Sequence, residues 1–179
     1  MDWNNQFSSI GFQGSAIANG NPKVYREGFV TVGGVNADTV NIPFGVIVSA
    51  AAATPNQFKI GAGAAICRGI VLFNPAFAQN DPAKNSYYLP GQVLASMLKG
   101  QVTITSWTKT ATGAIDPVIG CVVIYNNTTG IIEFLAAGSS APSGWTALAA
   151  DVYDVGNALG TGTGILASGV GVSLSLRLI

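Results

Sequence analysis

The chain has 179 residues, which fits a single domain, and it carries 8 Lys and Arg, 8 Asp and Glu and no His, so its formal net charge is zero. Charged residues make up 9% of the chain and hydrophobic residues 49%, which is too apolar for intrinsic disorder and too poor in charge for a coiled coil. A net charge of zero also argues against a nucleic-acid binder, which needs a basic surface.

The first 40 residues predict an extended N-terminal arm, because their hydrophobic residues are sparse and follow neither a helical nor a period-2 pattern. A short strand is expected within this arm at 29–32. Aromatic and aliphatic side chains isolated on a polar segment suit anchors in the grooves of a partner protein, and a disordered tail is the alternative. The candidate anchors are Trp3, Phe7, Ile10, Phe12 and Ile17.

From residue 39 onward the pattern is one of short strands separated by turn residues. The predicted strands lie at 40–48, 58–60, 64–73, 100–105, 118–125, 131–135 and 170–178. The clearest hairpin joins 118–125 to 131–135 through the loop 126–130. The final strand alternates strictly, with Val170, Val172, Leu174, Leu176 and Leu178 on one face. The only candidate for a helix longer than one turn is 147–159, and Gly156 weakens it.

Many short strands with regular turns predict an all-β protein: a single compact β-sandwich or barrel domain over 41–179, preceded by the arm over 1–40. A surface with so few charges is poorly suited to a lone monomer and well suited to close protein contacts, in which unpaired charges would be costly to desolvate. We therefore expect the protein to be part of an assembly.

The residue inventory predicts that the protein is not an enzyme and holds no metal and no cofactor. His is the commonest general base and metal ligand, and it is missing from the sequence. No Ser lies in a Gly-x-Ser-x-Gly motif. The carboxylates, Glu133 among them, fit solvated loops and strand edges better than the converging pair that a glycosidase needs. The glycine-rich stretches 61–65 and 160–164 fit turns, since no helix pattern follows either of them.

Three features indicate the compartment. Cys67 and Cys121 lie in apolar runs, so we expect two buried, reduced thiols that act as small hydrophobic side chains; a disulfide between strands is the alternative. The N-terminus lacks the basic and apolar regions of a signal peptide, and no run approaches the ~18 apolar residues that a membrane helix needs. These features predict synthesis in the cytoplasm and no membrane partner.

The order of motifs resembles the structural cement proteins of tailed bacteriophages, also called capsid decoration or auxiliary head proteins. The resemblance covers about residues 40–179 and ends with the alternating C-terminal strand. The segments that carry it are Ile42-Pro43-Phe44-Gly45-Val46-Ile47-Val48, Arg68-Gly69-Ile70-Val71-Leu72, Tyr88-Leu89-Pro90-Gly91-Gln92-Val93, Gly100-Gln101-Val102-Thr103-Ile104, Ile115-Asp116-Pro117-Val118 and Gly130-Ile131-Ile132.

The resemblance implies a small β-rich domain, a homotrimer, that is made in the host cytoplasm and binds the major capsid protein on the outer surface of the virion. It would stabilise contacts between capsid subunits by multivalent bridging. The arm would lie along the capsid floor or pair with a neighbour by strand addition, and a head fibre mounted on the protein is a further partner that the resemblance allows. The alternative function is a head-fibre or spike-base module that anchors a fibre or binds a host receptor. A secreted carbohydrate-binding module is disfavoured because no signal peptide is predicted.

Overall fold

A computed structural model of the chain describes residues 15–16, 30–62, 66–73, 87–104, 107–154 and 172–178. These residues form strands, turns and loops, with no helix among them. The strands are β1 Ser15–Ala16, β2 Val30–Asn36, β3 Ile42–Pro43, β4 Ile47–Ala50, β5 Gln57–Ile60, β6 Ile66–Val71, β7 Tyr87–Tyr88, β8 Val93–Ile104, β9 Ala114–Ile115, β10 Val122–Asn126, β11 Ile132–Leu135, β12 Trp145–Ala147, β13 Ala150–Asp154 and β14 Val172–Arg177. The all-β prediction is therefore confirmed.

Five of the strands close into a barrel in the order β8-β2-β5-β4-β6 and back to β8. Strands β2 and β5 pair in parallel, and the other pairs of the ring are antiparallel. Closure removes the exposed strand edges that an open sheet would leave. Of the two architectures expected from the sequence, the barrel is the one that forms.

The 12-residue strand β8 is the central strand of the fold. Lys99 pairs with Val30 of β2 and also with Arg177 of β14, so these two strands lie on opposite edges of β8. Its first half belongs to the barrel, and its second half extends beyond the barrel to pair with β14, which in turn pairs with β13. Strand β1 pairs with Val102 and Thr103, on the edge that β2 also uses.

The barrel interior is filled by large apolar side chains. Phe44 packs edge-to-face against Tyr88 and Phe73, with ring centroids 5.1 and 5.3 Å apart, an arrangement that aromatic rings favour. The buried members of this cluster are Ile42, Phe44, Val46, Val48, Ala50, Phe58, Val71, Tyr88 and Leu94. Each fully buried side chain of this size contributes about 1.5–3 kcal/mol to the free energy of unfolding.

A second, four-stranded sheet has the order β12-β10-β11-β9. Its inner face packs on the outside of the barrel and its extension, and Trp107 meets Phe134 edge-to-face at 6.0 Å within this contact. The β10–β11 hairpin and its turn at 126–130 confirm the predicted hairpin. The first strand of that hairpin begins at Val122 rather than 118, because 118–121 forms a turn closed by the bond from the Cys121 amide to the Val118 carbonyl.

The tip of this hairpin is joined to the barrel by backbone hydrogen bonds. The Ile47 amide donates to the Gly130 carbonyl at 2.9 Å, and the Ala62 amide donates to the Asn127 carbonyl at 2.8 Å. Gly61 and Gly130 have φ values of 64° and 67°, a region that favours glycine. A Cβ on Gly130 would overlap the Ile47 backbone. The two glycines therefore allow the hairpin and the barrel to touch through their main chains.

Two expectations change with the structure. The helix predicted over 147–159 is wrong where the structure describes it, since 150–154 is strand β13, paired with β14; partnership with a neighbouring strand overrides the weak helical pattern. The short strand expected at 29–32 is longer, Val30–Asn36, and it closes the barrel. Residues 30–40 thus belong to the β-domain. Within 1–29 the structure describes only Ser15–Ala16, so a separable arm there stays a prediction.

Candidate docking surface

The acidic residues and cysteines of the described residues lie apart from one another or take structural roles. No group of three or more His, Cys, Asp or Glu comes together among them. Glu133, expected at a solvated edge, is instead fully buried. Its carboxylate accepts hydrogen bonds from the amides of Thr110 and Ala111 and from the hydroxyls of Thr108 and Thr110. This carboxylate therefore holds the loop 107–111 against β11 and offers no lone pair to solvent.

The cysteines are both free thiols, Cys121 buried and Cys67 half-buried. Burial raises the pKa of each thiol above its ordinary value of 9.0, which keeps both in the unreactive protonated form near neutral pH. Burial also raises the pKa of Tyr125, and the neighbouring Cys67 adds to this shift. The burial expected from the sequence is found for Cys121, whereas Cys67 is only half-buried.

The five candidate anchors of the arm, Trp3, Phe7, Ile10, Phe12 and Ile17, lie outside the described residues. Their proposed role stays a prediction. Between Phe12 and Ile17 in the sequence, Ser15 and Ala16 pair antiparallel with Thr103 and Val102 of β8. The N-terminal segment therefore contacts the domain at least at this point.

Exposed apolar side chains concentrate at one end of the barrel. Within the described ranges, eight large hydrophobic residues are exposed, and four of them lie at the end where β2 finishes and β8 begins. We call these four residues the apolar rim: Val35, Val40, Leu89 and Val93. Val93 is 67% exposed and Val40 52%. Clustered exposed apolar groups of this kind mark protein contact sites more often than scattered ones do.

Strand pairing brings the rim residues together. Val35 is directly opposite Val93 in the β2–β8 ladder, so the two side chains share the outer face of the barrel. Ile42 pairs with Tyr88 in the small β3–β7 sheet, and continuing this antiparallel register places Val40 beside the turn that contains Leu89. The rim is thus built from two strand pairs that meet at one end of the barrel.

The buried side chain of Asn36 holds the backbone beneath the rim. Its Nδ2 donates to the carbonyls of Val40 and Tyr88, both at 3.0 Å, and its Oδ1 accepts from the Asp38 amide at 2.9 Å. Its own amide donates to the Gln92 carbonyl, and its carbonyl accepts from Gly91. One 2%-exposed side chain therefore ties three segments together, and a fully satisfied buried polar network of this kind is rigid.

The turn that carries Leu89 is also braced. The Leu89 amide donates to Gln92 Oε1 at 2.7 Å, and the Gln92 amide donates back to the Leu89 carbonyl at 3.0 Å. Gly91 adopts a φ of 81°, which the turn requires. A surface held in place before contact loses little conformational entropy on binding a partner.

The rim is poor in charge. The carboxylate nearest to it in sequence, Asp38, accepts bonds from the amides of Thr39 and Ile60. The two ion pairs of the described residues, Lys109–Asp116 and Arg177–Asp151, involve other segments. Docking on the rim would therefore desolvate apolar groups without stripping water from an unpaired ammonium or guanidinium group.

A second exposed apolar pair lies at the turn between β9 and β10. Val118 is 47% exposed and Ile119 70%. The turn follows the buried Pro117 and the Asp116 carboxylate, which pairs with Lys109 at 2.8 Å. This pair is smaller than the rim and offers less apolar area for a partner.

The rim was not predicted from the sequence. Leu89 and Val93 flank a Pro-Gly turn. Apolar residues beside such a turn were the one feature of the sequence that could have indicated an exposed apolar surface. Val35 can be assigned to the outward face of β2 only when the register of that strand is known. The contiguity of the four residues depends on which strands pair, and local sequence does not encode that pairing.

No protein-family model matches the chain, and no curated protein matches its sequence. Within the part of the chain that the structure describes, no helix is long and apolar enough to cross a membrane.

Proposed function

We propose that the protein is a non-enzymatic structural protein of a phage virion, which binds the outer surface of the capsid and stabilises contacts between major capsid subunits. The observation that carries the docking part of this proposal is the rigid, charge-poor apolar rim on a closed barrel. The capsid as partner follows from the resemblance of the motifs at 42–48, 68–72 and 88–93 to structural cement proteins.

The mechanism is multivalent bridging. Each copy presents the rim to a capsid subunit, and a homotrimer presents three rims on one particle. Because linked contacts must all be broken before the capsid subunits can separate, modest contacts add up to a large resistance. Neither nucleic acid nor membrane is needed as a partner, and the low charge of the chain supports a protein–protein role. The protein would be made in the host cytoplasm and reside on the exterior of the virion.

Co-sedimentation with phage heads that lack this protein tests the proposal. We expect saturation at a fixed ratio to the major capsid protein, together with better survival of the heads on heating. Binding of only a few copies per head, or of cells or glycans instead of heads, would contradict it and favour the head-fibre or receptor-binding alternative.

A pair of matched variants tests the rim. Val93→Asp places a charge on the most exposed rim residue and should weaken binding to heads at least tenfold, without changing the melting temperature. Ala137→Asp makes the same kind of change at an exposed turn between β11 and β12 and should bind like the wild type. Equal binding by both variants would exclude the rim as the docking surface.

A further inference from the structure

We propose that, when copies of this chain associate, the N-terminal strand β1 of one copy pairs with Val102 and Thr103 of β8 in a second copy. We call this position on the edge of β8 the seat of β1. The inference rests on the homo-oligomer part of the proposed function and names the surface through which copies join. It does not depend on the capsid, and its test uses the protein alone.

The edges of β8 show where this seat lies. Strand β14 occupies one edge from Lys99 to Ile104, and β2 occupies the other edge from Val93 to Lys99. Beyond Lys99, the pairing that the described residues show on the β2 edge is that of β1 with Val102 and Thr103. Strands β1 and β2 therefore follow one another along the same edge of β8.

The length of chain between these two strands exceeds what their positions require. Ala16 pairs with Val102 and Val30 with Lys99, so three positions of β8, about 10 Å, separate their partners. The connection 17–29 contains 13 residues. Fully extended, the 14 steps from Ala16 to Val30 span up to about 46–50 Å, which exceeds the ~40 Å diameter expected for a compact chain of this size.

Such a connection can deliver β1 to a neighbour as readily as to its own β8. Exchange of identical elements keeps every contact of the seat and changes only which copy supplies it. Within one copy, a two-residue strand adds few backbone hydrogen bonds and so little stability. In an oligomer, the same strand also links two copies. Each copy both donates a strand and receives one, and such an exchange forms a ring when the rotation between copies closes; the predicted homotrimer is a closed ring of this kind.

Disulfide trapping between two differently tagged chains tests the inference. Ser15 is directly opposite Thr103, and residues in this position have Cβ atoms about 4.5–5.5 Å apart, within the range that a disulfide can close. One chain carries Ser15→Cys and the other Thr103→Cys, and the two are co-expressed, purified through both tags and oxidised at low micromolar concentration. We expect a heterodimer on a non-reducing gel that disappears on reduction.

The control pairs Ser15→Cys with Ser175→Cys. Ser175 pairs with Gln101 on the opposite edge of β8, two residues from Thr103. Two strand spacings across and two residues along the strand separate Ser15 from Ser175 by about 12 Å, which is too far for a disulfide. The Thr103 pair should give at least five times more covalent heterodimer than this control.

A double variant carrying Ser15→Cys and Thr103→Cys on one chain completes the test. Covalent links between chains support exchange. A link within one chain, found by mass spectrometry of a monomer, would overturn the inference, and so would the absence of any link in a variant that melts like the wild type. Either failure would leave the head-binding experiment unaffected, so the two proposals can fail separately.

Discussion

The amide of Ile47 donates to the carbonyl oxygen of Gly130 at 2.9 Å, and this bond joins barrel strand β4 to the tip of the β10–β11 hairpin. A second bond runs from the Ala62 amide, beside the barrel strand β5, to the carbonyl oxygen of Asn127 in the hairpin turn, at 2.8 Å. The four-stranded sheet is therefore held on the barrel by main-chain bonds at its hairpin tip as well as by the shared apolar core. A side chain at the contact would separate the two sheets.

Gly130→Ala should lower the free energy of unfolding by roughly 3 kcal/mol or more. The new Cβ would overlap the Ile47 backbone, and a left-handed conformation alone costs a residue with a Cβ about 1–2 kcal/mol. Gly138→Ala is the matched control, because Gly138 has a similar φ of 79° and open space around its Cβ position. Urea unfolding measures both variants. Equal losses would show that only φ, and not the contact with Ile47, requires glycine at 130.

Glu133→Gln should destabilise the protein by roughly 1.5–3 kcal/mol, the range for hydrogen bonds to charged groups. The Gln amide nitrogen cannot accept, so a donor among Thr110 and Ala111 would be left unpaired in a buried site. Asp116→Asn removes a carboxylate from the partly exposed pair with Lys109 and should cost less than about 1 kcal/mol. Thermal and urea unfolding compare the two, and a loss for Glu133→Gln no larger than that for Asp116→Asn would contradict the anchoring role.

Stability should fall at alkaline pH through Tyr125. Because burial raises its pKa above the ordinary value of 10.0 in the folded chain, the unfolded chain loses the phenol proton first. The stabilising contribution is therefore fully present below about pH 10 and is lost as the pH rises through the folded pKa. Tyr125→Phe lacks this titration, so the wild type should lose stability relative to this variant between pH 9 and 11 in urea unfolding. Parallel pH curves would show that the Tyr125 pKa is not raised.

Deleting residues 1–20 should leave a cooperatively folding domain that binds heads more weakly. The deletion removes β1 and spares all five barrel strands. Deleting 1–13 removes the anchors Trp3, Phe7, Ile10 and Phe12 and keeps β1, so the two truncations separate the anchors from strand pairing. Calorimetry and head co-sedimentation measure the outcome. Loss of a cooperative melt for both truncations would show that this segment is needed for the fold.

Local patterns predicted the strands whose partners are near in sequence. The hairpin of β10 and β11 was predicted because five turn residues separate two β-branched runs. The local pattern made 150–154 part of a helix candidate, but its strand character depends on pairing with β14, some twenty residues later. It also did not predict that Glu133 is buried, because its donors lie in a loop more than twenty residues away.

The sequence by itself determined that the protein is all-β, that its surface carries little charge and that its C-terminal strand alternates, since composition and period-2 spacing are local properties. Only the tertiary structure decided that β8 is paired along both edges, that five strands close into a barrel and that Val35, Val40, Leu89 and Val93 form one rim. These features depend on which distant strands pair and in what register, and a shift of one residue would turn every side chain of a strand to the opposite face.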